Sequence, residues 1–123
     1  MNNDLLFEES LRLWEQIVRP NIRNATGIGI IRYLGKNSGK YVPFHEVKTS
    51  MDISTTHKVL RQMTMTKLAD SDGRGNYRLS TVGLIIYNFL LKFEEFYRDE
   101  YLPFLKKEVE DRERILRSFK SQS

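Results

Sequence analysis

Between residues 67 and 80 the chain reads KLADSDGRGNYRLS, and no other stretch restricts the fold as much. Two short runs that alternate in polarity, KLAD and NYRL, flank Ser71-Asp72-Gly73-Arg74-Gly75. Asp-Gly and the second glycine supply positive φ angles without strain, which is the chemistry of a β-hairpin. The pattern therefore predicts two short strands with a basic tip at Arg74, inserted into a chain whose other segments follow the helical period.

Leu6, Phe7, Leu11, Trp14, Ile17 and Val18 recur at spacings of three and four, one face of a helix over residues 4–18 that Pro20 ends. GIGIIRYLGKNSG then places Ile28, Ile31 and Leu34 on one face and stops at Asn37-Ser38-Gly39, while Gly27 and Gly29 blur its start. A two-residue extended piece follows, and Pro43 opens a short helix with Phe44 and Val47 facing inward. At Asp52 a further helix begins, its carboxylate placed to accept from the N–H of Ser54 or Thr55. Its inward positions are Thr56, Val59 or Leu60, and Met63, which leaves Ser54, Thr55, His57, Lys58, Arg61 and Gln62 on the outer surface. From Ser80 the helical period returns through Val82, Ile85, Ile86, Phe89, Leu90, Phe93 and Tyr97. Pro103 interrupts or kinks this helix, and Leu105, Val109, Arg112, Leu116 and Phe119 mark a last one.

A length of 123 residues at 40% hydrophobic suits one domain over residues 1–123. No apolar run approaches the roughly 20 residues that cross a bilayer, and the acidic start MNNDLLFEES is unlike a signal peptide, so a cytoplasmic, nucleoid-associated protein without membrane contact is expected. There is no cysteine, and His45 and His57 have no ligand-type spacing, so neither a metal nor another cofactor is implied. Glu94-Glu95, Asp99-Glu100 and Glu110-Asp111 are carboxylate neighbours that diverge on a helix and alternate with bases, the pattern of a solvated face and not of a catalytic pair. The net charge of +4 conceals an asymmetry: residues 19–80 carry +7, residues 1–18 carry −3 and residues 81–123 balance. A basic middle between acidic or neutral ends suits a polyanion for the middle and protein contacts for the ends.

The order helix, short strand, helix, turn, helix, hairpin, long helix resembles the winged helix-turn-helix fold over residues 25–85. Met51-Asp52 stands where that family places the apolar turn position and cap of its second motif helix. Tyr77-Arg78-Leu79-Ser80-Thr81-Val82-Gly83 is similar to the phrase that closes its wing. Extra helices at both ends resemble those of the small dimeric MarR, PadR and archaeal Lrs-like regulators. Two departures stand out. Lys67 occupies the site of a family glycine that ends the second helix in a left-handed conformation, and Thr56 replaces a larger apolar residue.

The resemblance implies a mainly α fold with a small β-hairpin wing, and a homodimer built from the helices at 4–18 and 84–119. It further implies double-stranded DNA as the partner of a transcriptional regulator, with the helix 52–66 in the major groove and the wing 70–78 on the adjacent minor groove or backbone. Arg61 is the best base reader because its fork bonds guanine O6 and N7 together. Ser54, Thr55 and Gln62 suit bases or phosphates, Lys58 and His57 suit phosphate, and Arg74 suits the minor groove or a phosphate. Arg78, like Lys36, is as well explained by solubility. The aromatic residues Trp14, Phe89, Phe93, Phe96, Tyr97, Tyr101 and Phe104 suit a core or a dimer seam better than a pocket for a small-molecule effector. The rival expectations are a winged-helix module that binds protein, and a non-specific architectural chromatin protein.

Overall fold

Proline has no N–H to donate, and its ring collides with the carbonyl four residues back. Pro20 is for that reason expected to end the first helix, yet the computed structural model, which describes residues 3–47 and 52–121, carries the helix through it. Helix α1 (Asn3–Leu13) widens into a π turn at Trp14–Val18 and returns to α geometry as α2 (Arg19–Ile22). In the wide turn the Arg19 N–H reaches the Trp14 carbonyl five residues back, and the shifted register makes room for the ring. Pro103 is met in the same way. A π turn at Tyr97–Tyr101 separates helix α5 (Thr81–Phe96) from helix α6 (Leu102–Ser121), and the Leu102 N–H bonds to the Tyr97 carbonyl. Each proline lies two residues beyond its wide turn, and neither stops its helix.

The chain divides into two units, Met1–Tyr87 and Asn88–Ser123. In the first, helix α3 (Ala25–Lys36) starts at Asn24, whose side chain accepts from the Gly27 N–H at 2.8 Å. Its inner face is Ile30, Ile31 and Leu34, each almost fully buried, whereas Ile28 is 48% exposed. The apolar stripe is thus rotated from the expected Ile28, Ile31 and Leu34. The reason is Gly27: a Cβ there would lie 1.9 Å from the Asn21 carbonyl oxygen, so it is the glycine side of α3 that is pressed against α2. Asn21, itself buried, donates from Nδ2 to the Ile17 carbonyl at 2.5 Å and to Thr66 Oγ1 at 3.0 Å, tying α2 to the far end of the next long helix.

That helix, α4 (Ile53–Met65), begins as its sequence predicts: Asp52 Oδ1 accepts from the Thr55 N–H at 2.7 Å. Thr56, Val59, Leu60 and Met63 are its buried residues, and the Thr56 hydroxyl is satisfied by the Asp52 carbonyl at 2.9 Å. The expected apolar turn position at Met51 lies outside the described residues. Before α4, the short helix after Pro43 is a single 3-10 turn, Phe44–Glu46, with Val47 buried and Phe44 half-buried. Val42 and Pro43 form strand β1 and pair with a later strand, so the sheet has three strands where the hairpin alone predicts two.

Helix α4 ends at a left-handed residue. Leu68 N–H bonds to the Met63 carbonyl at 2.9 Å and Lys67 N–H to the Thr64 carbonyl at 3.1 Å, the paired closure that requires positive φ at the residue after the cap. Lys67 adopts φ +64, a left-handed conformation that is strained for a residue with a side chain. Strand β2 (Ala69–Ser71) then pairs antiparallel with β3 (Asn76–Leu79), Asp70 opposite Arg78, and β3 also pairs with β1, giving the order β1-β3-β2. Gly73 and Gly75 both take positive φ at the tip. Asp72 closes it, accepting from the Arg74 N–H, the Asn76 N–H and the Asn76 amide. The Asn76 side chain, then the Arg74 N–H, hold the Asp72 carboxyl below its ordinary range.

The second unit is built from the later part of α5, its π turn and α6. None of its described residues is buried; Phe93 is 57% exposed and Phe119 67%. Phe93 meets Phe96 and Tyr97 stacks on Tyr101, contacts one turn apart on the same helical surface.

Lys67→Gly should raise stability by about 1 kcal/mol, because a left-handed backbone costs a side chain roughly that much and glycine little. An unchanged midpoint in urea denaturation would remove the strain from the account. Gly27→Ala should do the opposite, costing about 3 kcal/mol or preventing folding, since the new methyl meets backbone that cannot rotate away. The same denaturation measurement, with a wild-type midpoint as the contrary result, checks it.

Candidate nucleic-acid interface

The outward surface of α4 follows from what its inward surface must bury. With Thr56, Val59, Leu60 and Met63 committed to the core, Ser54, His57, Lys58, Arg61 and Gln62 are all exposed and Thr55 is half-buried. They are not equivalent once their contacts are counted.

The side chains of Lys58 and Arg61 form no ion pair or hydrogen bond with another described residue, and neither does the hydroxyl of Ser54. Their charges and hydroxyl are available to a ligand without any contact being broken first. Thr55 instead serves the helix start. Its side chain, then its backbone N–H, hold the Asp52 carboxyl below the ordinary range, so the cap stays ionised at the positive end of the helix. His57 stacks on Phe44, ring centroids 4.2 Å apart and planes 19° from parallel, which fixes the imidazole against the 3-10 turn. Gln62 reaches sideways, its amide 3.4 Å from the Pro20 carbonyl, a long contact that aims it at α2.

Arg74 sits at the hairpin tip, where neither neighbouring glycine has an atom within 4 Å of the place a Cβ would take. Its backbone N–H is held by Asp72, while its side chain is exposed and forms no ion pair with a described residue. Arg78 is different. Its guanidinium lies 3.3 Å from Asp70 across the strand pair and 4.4 Å from the centre of the Tyr41 ring. Both partners hold the charge on the sheet, so Arg78 is a component of the hairpin's base and not a free arm. Lys36 is exposed in the last turn of α3, where it opposes the negative end of that helix.

The structure thus groups Ser54, Lys58 and Arg61 on one helix as free groups, keeps Arg74 free on a second element, and binds Thr55, His57, Gln62 and Arg78 to local partners. Two residues escape a reading by periodicity. Ile53 falls on the inward side by its spacing from Thr56 and Leu60, yet in the first turn it is 73% exposed, and Met65 at the other end is 77% exposed. Tyr41, the platform for Arg78, has no sequence signal beyond its place before β1.

An open groove of about 660 Å³ lies beside the sheet, lined by Tyr41, Thr64, Lys67, Asp70, Arg78 and Ser80 among others. The aromatic residues Trp14, Phe89, Phe93, Phe96, Tyr97, Tyr101 and Phe104, expected in a core or a dimer seam, are not among its lining residues. Among the described residues, no three His, Asp or Glu side chains converge where a metal ion would be held, and no helix is long and apolar enough to cross a membrane. No protein-family model, curated protein or solved structure matches the chain.

Proposed function

We propose that the protein binds double-stranded DNA as a dimeric winged-helix transcriptional regulator, with α4 in the major groove and the β2–β3 hairpin on the adjacent minor groove or backbone. The observation that carries this reading is the free state of the cations on these elements. Lys58 and Arg61 on α4 and Arg74 at the hairpin tip are exposed and without an ion pair to another described residue, in the segment that carries +7. A surface charged only for solubility does not require unpaired cations on both a helix and a glycine-flanked tip. A helix fits the width of the major groove, and its first residues and next turn reach base edges there. Arg61 reads bases, Lys58 and Arg74 neutralise phosphates, and Ser54 bonds either. Arg78 contributes through the shape of the hairpin. Homodimerisation, through the exposed apolar faces of α1 and of the helices after Ser80, duplicates the contacts over an inverted repeat.

A second reading has its own support. Ile53 and Met65 are large apolar side chains exposed on α4 itself, and a winged-helix module that binds protein would use them. Selection of bound fragments from random duplex DNA separates the possibilities: a shared motif supports a regulator, bulk binding an architectural protein, and no binding the protein-interaction module.

Affinity for duplex DNA should fall steeply with salt, with a log-log slope of about −0.9 for each phosphate contacted. A flat response in fluorescence anisotropy titrations between low and physiological salt would end the DNA reading. Arg61→Ala and Arg74→Ala should then fail differently. Loss of Arg61 should cost about 1–3 kcal/mol on the preferred site and relax its sequence preference, while loss of Arg74 should weaken all sequences alike and make the salt slope shallower. Equal, sequence-blind losses from both would take Arg61 out of base reading.

A further inference from the structure

Helix α6 runs unbroken over twenty residues, and none of them is buried, although Leu105 is half-buried. Leu102, Leu105, Val109, Arg112, Leu116 and Phe119 follow one another at alternating steps of three and four, so they form one seam along the helix. Along it Leu102, Val109, Leu116 and Phe119 are 42%, 51%, 60% and 67% exposed. A seam of this period fits a second helix of the same kind, and the flanking charges decide its direction.

If two copies paired in parallel, each seam residue would face its own equivalent. Arg112 would lie against the second copy's Arg112, and Glu108 would flank that copy's Glu113, so both the seam and its edge would oppose like charges. In the antiparallel arrangement Leu102 faces Phe119, Leu105 faces Leu116 and Val109 faces Arg112 of the second copy. Lys106 then flanks Glu113 of the second copy, and by the two-fold symmetry the contact occurs twice. Lys106 and Glu113 form no ion pair with another described residue. On the opposite edge Glu108 meets a neutral Ile115. Arg112 also fits, because its guanidinium turns outward to Glu108 one turn back, 3.3 Å away, and leaves its methylene stem in the seam. A slip of one heptad in either direction would leave two of the six seam residues on each helix without a partner within α6.

We infer that α6 is a self-pairing element: two copies of this chain associate through antiparallel α6 helices about a two-fold axis between Glu110 and Asp111. The inference refines the dimer part of the functional reading and stands without its DNA part, because every measurement below is made in the absence of DNA.

The chain has no cysteine, so introduced thiols report cleanly. Full-length Leu105→Cys and Leu116→Cys variants, mixed and then oxidised, should give a disulfide-linked dimer, whereas either variant alone should give little, since its thiols lie more than two helical turns apart. Linked dimer from each variant alone, in the amount given by the mixture, would overturn the antiparallel direction. In sedimentation equilibrium, Lys106→Glu and Glu113→Lys should each weaken dimerisation by roughly tenfold, since two exposed ion pairs become two like-charge contacts. The double variant, or a mixture of the two single variants, should restore it. A double variant as weak as the singles would overturn the register, and a wild-type monomer at micromolar concentration would overturn the pairing itself.

Discussion

The carbonyl of Leu68 is the point at which three elements are tied. It accepts from the Ser80 N–H and from the Ser80 hydroxyl, both at 3.0 Å, and Gly83 passes so close that a Cβ there would lie 2.2 Å from the same oxygen. Leu68 follows directly on the left-handed Lys67 that ends α4, and Ser80 both closes β3 and caps α5 by accepting from the Gly83 N–H. The exit of α4, the base of the hairpin and the entry of α5 are therefore one hydrogen-bonded junction. Strain at Lys67 persists because the junction over-determines it: the closing bonds to Met63 and Thr64, and the Ser80 hydroxyl on the Lys67 carbonyl, leave no other path for the backbone. The free cations of α4 and the hairpin tip are positioned by elements that share this anchor.

Charge is used in two different ways in the first unit. Where a cation has a structural partner, as Arg78 has in Asp70 and Tyr41 or Arg19 in Glu15, it braces local geometry. Where it has none, as at Lys58, Arg61 and Arg74, it is a standing invitation to an anion. The acids on these elements form no ion pair with these cations among the described residues. Asp52 is engaged at the start of α4 by the Thr55 side chain and N–H, and Asp72 at the hairpin tip by the Asn76 side chain and the Arg74 N–H, with a smaller attraction to the Arg74 charge. Both carboxyls titrate below their ordinary value in the fold, so the stabilisation they contribute is present at neutral pH and fades as pH falls through the folded value.

The second unit poses the opposite problem, apolar surface without a cover. Two helices joined through the π turn that precedes Pro103 expose aromatic and aliphatic side chains along their length. A partner would remove that surface from water, and the balance of acids and bases on α6 restricts which partner and which direction. A helix broken at Pro103 would interrupt this exposed face.

Local chemistry made much of this protein legible in its sequence. The hairpin follows from Asp-Gly and a second glycine, the start of α4 from Asp52, and its buried face from a spacing of three and four, whereas the left-handed conformation of Lys67 is against a lysine's own preference. Each of the first three is decided by one residue's backbone preference or by neighbours within a turn, and such energies are nearly independent of the rest of the chain. Among the candidate site residues, the exposure of Ser54, Lys58, Arg61 and Arg74 was legible in the same way. What only the tertiary structure decided are matters between residues distant in sequence. Helix α3 turns its Gly27 side to α2, so that Ile30 and not Ile28 enters the core. Val42 and Pro43 become a third strand. His57 goes to Phe44, Gln62 toward Pro20 and Arg78 to Asp70 and Tyr41. Pro20 and Pro103 sit inside helices because a wide turn relieves each ring, and such a turn has no signature in local propensity. A sequence pattern records which side chains avoid water; which surface each one finds depends on packing the whole chain at once.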